Sequence, residues 1–252
     1  MDLRRATLDG DGFVIVEDGL SATEMARLSD AVERVWRLNC PNGGALHALS
    51  FLPLDQSFVE LVDHPAVLPL VVGALGGNVY VYHCHLDVHP PEECPAPRWR
   101  WHQDGGRQNV DLPPPRPRLS VKAAYFLTDV GSVEHGPLWV LPGSHRRDTL
   151  ERPQNGAVHP PGAVPVLVRA GSVVLFDRRL WHARGDNTSG ATRKVLFYGY
   201  TYRWIRLRDA VAFEPDCVRG LTPVRRQLLG LDASPFGCWF PTPEEAPLAA
   251  MR

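Results

Sequence analysis

From Asn78 onward the chain is cut into short apolar runs. NVYVYHCHLDVH, RLSVKAAYFLTDV, GPLWVLPGSH, VPVLVRAGSVVLFD and RKVLFYGYTYRW follow one another, separated by turn-rich linkers. Val, Tyr, Phe and Leu dominate the runs, and a chain with 24 prolines and 22 glycines in 252 residues supplies the punctuation. Several short β-branched and aromatic segments with turn signals between them predict a β sandwich or barrel. VDLPPPRPRL is too rich in proline for a central strand and is expected to form an ordered surface loop.

The first third has a different texture. SATEMARLSDAVERVW opens on Ser21 with Glu24 three residues on, a capping box, and sets Met25, Leu28, Val32, Val35 and Trp36 at helical spacing. A second helix is expected in HPAVLPLVVGALGG, with Pro65 in its first turn and Gly76 and Gly77 ending it, and a short third one around PVRRQLLG. The length fits one domain: helical bracing over about 1–77, a β core over about 78–208 and a C-terminal extension over about 209–252.

Lys and Arg number 27 against 28 Asp and Glu, with no basic stripe, so neither nucleic acid nor an acidic membrane is an expected partner. A small molecule is; the sequence assigns no oligomeric state. Five cysteines without a C-x-x-C spacing read as reduced thiols. No apolar run approaches membrane-span length, and the first twenty residues lack a signal-like apolar stretch, so a cytoplasmic protein is expected.

WHQDGG carries the chemistry. In an extended strand, side chains two apart share a face, so His102 and Asp104 can reach one metal ion while Gln103 points away. A later apolar run, AGSVVLFDRRLWHARGDNTS, ends at His182 and supplies a third partner. Two imidazoles and one carboxylate are the facial triad of non-haem Fe(II) oxygenases, which leaves three metal positions open. Arg193 follows His182 by eleven residues, and its planar guanidinium suits a carboxylate.

WHQDGG, GPLWVLPGSH, AGSVVLFDRRLWHARGDNTS and TRKV, taken together, resemble the phytanoyl-CoA dioxygenase family of Fe(II)/2-oxoglutarate oxygenases over roughly residues 10–210. The resemblance implies a mainly β fold with flanking α-helices, the cupin-like double-stranded β-helix or jelly roll, and the use of Fe(II), 2-oxoglutarate and O2. It puts His102, Asp104 and His182 on the ligand positions and Arg193 on the position that grips the distal carboxylate of 2-oxoglutarate. The implied reaction is hydroxylation of an unactivated carbon with release of succinate and CO2. Desaturation, epoxidation or ring formation would use the same centre, whereas halogenases of this superfamily replace the carboxylate that Asp104 retains. A cupin-like metal protein without 2-oxoglutarate is the rival, and Arg193 speaks against it. With no Lys/Arg cluster placed for a CoA phosphate, the expected substrate is a small metabolite or natural-product intermediate.

Other residues join this site by face or by resemblance. Alternation puts His83, His85, Asp87 and His89 on one strand face. The resemblance makes that strand line the site, so His85 is expected to hydrogen-bond 2-oxoglutarate or substrate, with His89 a substrate candidate; relatives carry Gln, Lys or Asn along it, and the histidines are a departure. Lys122, mid-strand, either meets a substrate or cosubstrate carboxylate or lies at a wet strand edge. Ser189 and Thr192 either donate hydroxyls to the carboxylate held by Arg193 or cap their loop. Gln108 and Trp139 are substrate candidates, with core filling the other role open to Trp139.

Overall fold

The computed structural model describes residues 3–209, 212–231 and 234–251. Among these the strands are β1 (Phe13–Val16), β2 (Leu46–Leu49), β3 (Val79–His89), β4 (Ser120–Phe126), β5 (Leu138–Val140), β6 (Val164–Val166), β7 (Val173–Asp177), β8 (His182–Arg184) and β9 (Arg193–Tyr202). They form two sheets, a large one ordered β1-β7-β4-β9-β3-β2 and a small one ordered β6-β5-β8. Every pairing is antiparallel. The helices are α1 (Leu3–Asp11), α2 (Ala22–Asn39), α3 (Gln56–Glu60), α4 (Leu68–Leu75), α5 (Gln108–Asp111), α6 (Pro215–Val218) and α7 (Pro223–Leu228).

The period of two along the strands sorts the core into two layers. Val121, Ala123 and Tyr125 of β4 face outward with Tyr198 and Tyr200 of β9 and pack on Leu28, Val32 and Phe58 of the helices. Ala124 and Phe126 face inward with Val174, Phe176, Val195 and Phe197, and there they meet Leu138, Val140 and Val166 of the small sheet. Helices on one face and a second sheet on the other give the jelly-roll arrangement. Three buried tyrosine hydroxyls tie helices to sheet: Tyr198 donates to Phe58 O at 2.8 Å, Tyr200 to Val62 O at 3.1 Å and Tyr125 to Leu61 O at 3.3 Å.

The helix expected from the capping box is α2. Ser21 Oγ accepts from Glu24 N at 3.3 Å, and Glu24 Oε2 accepts from Ser21 N at 2.8 Å. Ser21→Ala removes the acceptor for an end N–H group. It is expected to cost about 1 kcal/mol, or about 2–4 °C of melting temperature, read by thermal circular dichroism.

The helix-dominated first third also supplies β1 and β2, which form both edges of the large sheet. Four residues each, they are too short for alternation to stand out. The second helix starts at Leu68, with Pro69 in its first turn; Pro65 lies in the preceding turn. Among the described residues no single helix is long and apolar enough to cross a membrane.

Candidate metal centre

His102 and His182 are brought together by backbone. Each donates its N–H to the other's carbonyl at 3.0 Å, an isolated antiparallel bridge between the loop before α5 and the first residue of β8. The H-x-D segment is therefore a loop held at one bridge and not the expected strand. After His102 the chain turns: Asp104 N donates to Arg178 O at 2.8 Å, and Asn109 Nδ2 donates to Asp104 O at 3.0 Å. Gly105 has φ +120°, and a Cβ there would lie 2.3 Å from Arg178 Nη1. The first glycine after HQD is thus required by both backbone and space.

Arg178 escaped sequence reading. It is 1% exposed and donates to Asn109 Oδ1 at 2.8 Å and Pro117 O at 3.0 Å, clamping the loop that carries Asp104. Asp177, also fully buried, accepts from Arg118 at 2.6 Å and Arg179 at 2.8 Å and so fixes the strand end from which Arg178 departs. In DRRLWH the two arginines look alike; only the turn after β7 decides which one points inward.

Both imidazoles are oriented the same way. His102 Nδ1 donates to Arg100 O at 2.9 Å and His182 Nδ1 to Leu180 O at 2.8 Å, which leaves the Nε2 lone pairs for a metal. His102 Nε2 lies 3.9 Å from Asp104 Oδ1 and His182 Nε2 lies 4.0 Å from Oδ2. One donor atom from each of the three residues lies within 4.8 Å of the others. The ring centroids of the two histidines are 4.3 Å apart.

Charge is tuned around this cluster. Lys122 Nζ sits 2.7 Å from Asp104 Oδ2 and 5.9 Å from the ring centroids of both Phe176 and Phe197. Burial alone would raise the Asp104 pKa, but the Lys122 ammonium and the two imidazoles outweigh it and hold the carboxyl well below its usual range. Burial pushes His182 down to about 4, so its ring is neutral and ready to ligate near pH 7. Lys122 is buried and not at a wet edge, and the anion beside it is the protein's own Asp104.

Arg193, the first residue of β9, is 4% exposed. Its Nε and Nη1 are buried and have no hydrogen-bond partner, while Phe126 lies under the guanidinium at 5.7 Å. Burial lowers its pKa to about 10, partly offset by the charge of Asp87, so it stays cationic. A buried guanidinium with two unmet donors fits an anionic carboxylate. Two Nε2 atoms and one carboxylate fit Fe(II).

The remaining candidates divide. Ser189 is a loop residue, since its Oγ donates to Asn187 Oδ1 at 2.7 Å and accepts from Ala191 N at 3.2 Å; that corrects its assignment to cofactor binding. Thr192 is half-buried immediately before β9. Trp139 pairs with Ala183, whereas His182 pairs with Val140. Alternation therefore turns Trp139 to the far side of the small sheet, where it stacks on His159 at 3.9 Å, and it is not a substrate contact. Gln108 opens α5 with Oε1 buried and unpartnered, close to the Gly105 turn.

The β3 histidines face inward as expected and are engaged with one another. His83 Nε2 and His85 Nδ1 lie 3.0 Å apart, and His85 stacks on Phe197 at 4.3 Å. Burial, reinforced by Lys122, lowers the pKa of His83 to about 4 and that of His85 to about 2. Arg184 Nη1 lies 2.6 Å from His89 Nε2.

The phytanoyl-CoA dioxygenase (PhyH) family model matches residues 8–195. An iron/alpha-ketoglutarate-dependent dioxygenase of Aspergillus calidoustus is 25% identical, covering 88% of this chain and 78% of its own. An L-proline trans-4-hydroxylase of Streptomyces griseoviridis is 28% identical over 75% of this chain and 82% of its own. Among solved structures, HygX from Streptomyces hygroscopicus with nickel and 2-oxoglutarate bound superposes with a TM-score of 0.68 at 17% identity, covering 85% of this chain and 96% of that one. At that identity the likeness establishes the double-stranded β-helix fold.

Proposed function

The chain belongs to the phytanoyl-CoA dioxygenase family, and from that premise we propose that it is an Fe(II)/2-oxoglutarate-dependent dioxygenase that hydroxylates an unactivated carbon of a small metabolite or natural-product intermediate. The observation that carries the reading is the pairing of a two-imidazole, one-carboxylate cluster with the buried, unsatisfied Arg193 on the same inner face of the fold. Relatives named as an iron/alpha-ketoglutarate-dependent dioxygenase and as a proline hydroxylase support it. Free thiols at Cys40, Cys84, Cys94, Cys217 and Cys238 support action in a reducing cytoplasm.

His102, Asp104 and His182 would hold the iron, each fixed by a backbone contact before any ligand arrives. When bound, Fe(II) with 2-oxoglutarate and O2 supplies the oxidising chemistry that yields succinate, CO2 and a hydroxylated product. Arg193 anchors the distal carboxylate of the cosubstrate. Phe126, Phe176 and Phe197 keep water from the inner wall. Lys122 keeps Asp104 ionised and turned inward, and Gln108, whose Oε1 is buried and unpartnered, would accept a hydrogen bond from the substrate.

Anaerobic titration of the metal-free protein with Fe(II) and then 2-oxoglutarate tests this directly. A weak visible metal-to-ligand charge-transfer band is expected, saturating at one cosubstrate per iron. Folded, iron-loaded protein without that band would overturn the cosubstrate assignment and favour a metal protein of another chemistry.

A further inference from the structure

The inward face of β3 carries His83, His85, Asp87 and His89, and the proposed iron centre uses none of them. Strand pairing sets His47 of β2 opposite Asp87, with His85 two residues before Asp87 on the same face. One donor atom from each of His47, His85 and Asp87 lies within 4.8 Å of the others, as in the cluster of His102, Asp104 and His182. The cluster is framed by adjacent backbone strands and not by chance approach of long side chains.

Its hydrogen bonds are incomplete at one point. The Asp209 carboxylate accepts from His83 Nδ1. His83 Nε2 is then a lone pair and accepts from His85 Nδ1 at 3.0 Å. This leaves His85 Nε2 as a second bare lone pair, and it faces Asp87 Oδ2 at 3.9 Å, too far for a hydrogen bond. Two acceptors thus face each other at 3.9 Å, and a positive group between them would satisfy both. An Asp–His–His run is also the means by which proteins orient a ligating imidazole, and the Phe197 stack fixes the ring plane.

We propose that His47, His85 and Asp87 form a second divalent-metal site, which takes Zn(II) or another late first-row ion. Two imidazoles and one carboxylate suit such an ion and leave room for water. The His47 side chain is 57% exposed and provides the way in from solvent. His47 Nδ1 lies 2.6 Å from Asp87 Oδ1, so the cation takes the place of the proton these two share. His89 Nε2 lies 3.6 Å from Asp87 Oδ2 but is occupied by Arg184 and stays outside the set.

Co(II) bound to the metal-free, full-length chain reads the site without reference to activity, because its d–d bands report coordination. Two equivalents are expected in the wild type. A His102→Ala/His182→Ala chain, which lacks the iron centre, should bind one equivalent that Zn(II) displaces, and adding Asp87→Asn should weaken that binding at least tenfold. One equivalent in the wild type and none in the double variant would overturn the proposal. Failure of the iron-centre reading looks different: the double variant would then keep the wild-type stoichiometry. If the double variant does not fold, Asp87→Asn in the otherwise unaltered chain decides by Zn(II) content, where a fall from two to one supports the site and no change refutes it.

Discussion

Asp104→Ala is expected to abolish 2-oxoglutarate turnover. The substitution removes the only anion of the three-residue cluster, leaving two imidazoles to hold a divalent ion. It also leaves Lys122, 7% exposed, with an ammonium and no carboxylate beside it. Iron affinity should therefore fall twice, through the lost ligand and through repulsion by the uncompensated lysine. A bound metal supplies several kcal/mol to such reactions, so the loss should reach about 10³-fold or more. Iron-dependent release of succinate from 2-oxoglutarate measures it without a known substrate, and equilibrium dialysis measures the iron. Because a stranded buried charge also destabilises the fold, Asp104→Ala/Lys122→Met serves as the control. It should recover thermal stability and not turnover. Wild-type succinate release by a folded Asp104→Ala protein would remove Asp104 from the metal.

Much of this site was legible because its chemistry is written in residues near one another along the chain. His102 and Asp104 are separated by one residue, and His182 and Arg193 flank a single loop. What sequence could not show is the backbone that aims them. H-x-D read as a strand because strand spacing puts both side chains on one face, yet a bridge to His182 and the Gly105 turn achieve the same convergence without a strand. Lys122 read equally as paired with an anion or as lying at a wet strand edge, because no periodicity names its partner, Asp104 in the loop before α5. Trp139 failed for a different reason. β5 is three residues long, too short for its own pattern to fix which side faces in, and only register against β8 turns Trp139 outward. The capping box of α2 depends on neighbours three apart and read true. β1 and β2 depend on pairing with β7 and β3, far along the chain, and were missed.

Arg193→Ala should separate cosubstrate binding from metal binding. Arg193 stands at the head of β9 opposite His89 and is not one of the iron ligands, so the His102, Asp104 and His182 cluster should keep its iron affinity. The guanidinium is buried with Nε and Nη1 unmet, which means the free protein already carries the cost of desolvating them. A carboxylate that arrives there recovers charge-assisted hydrogen bonds without a further desolvation of the arginine. Removing such a partner costs about 2 kcal/mol or more, a rise in the dissociation constant for 2-oxoglutarate of about thirtyfold or more. Arg193→Lys tests the geometry: it keeps the charge but loses the planar fork, and should recover only part of the affinity. The fold itself should tolerate the alanine, since relieving a buried, underbonded cation offsets the lost packing on Phe126. Titration of the charge-transfer band gives the constant for each variant. An unchanged constant in Arg193→Ala, with iron affinity also unchanged, would mean that the distal carboxylate lies elsewhere on the inner wall.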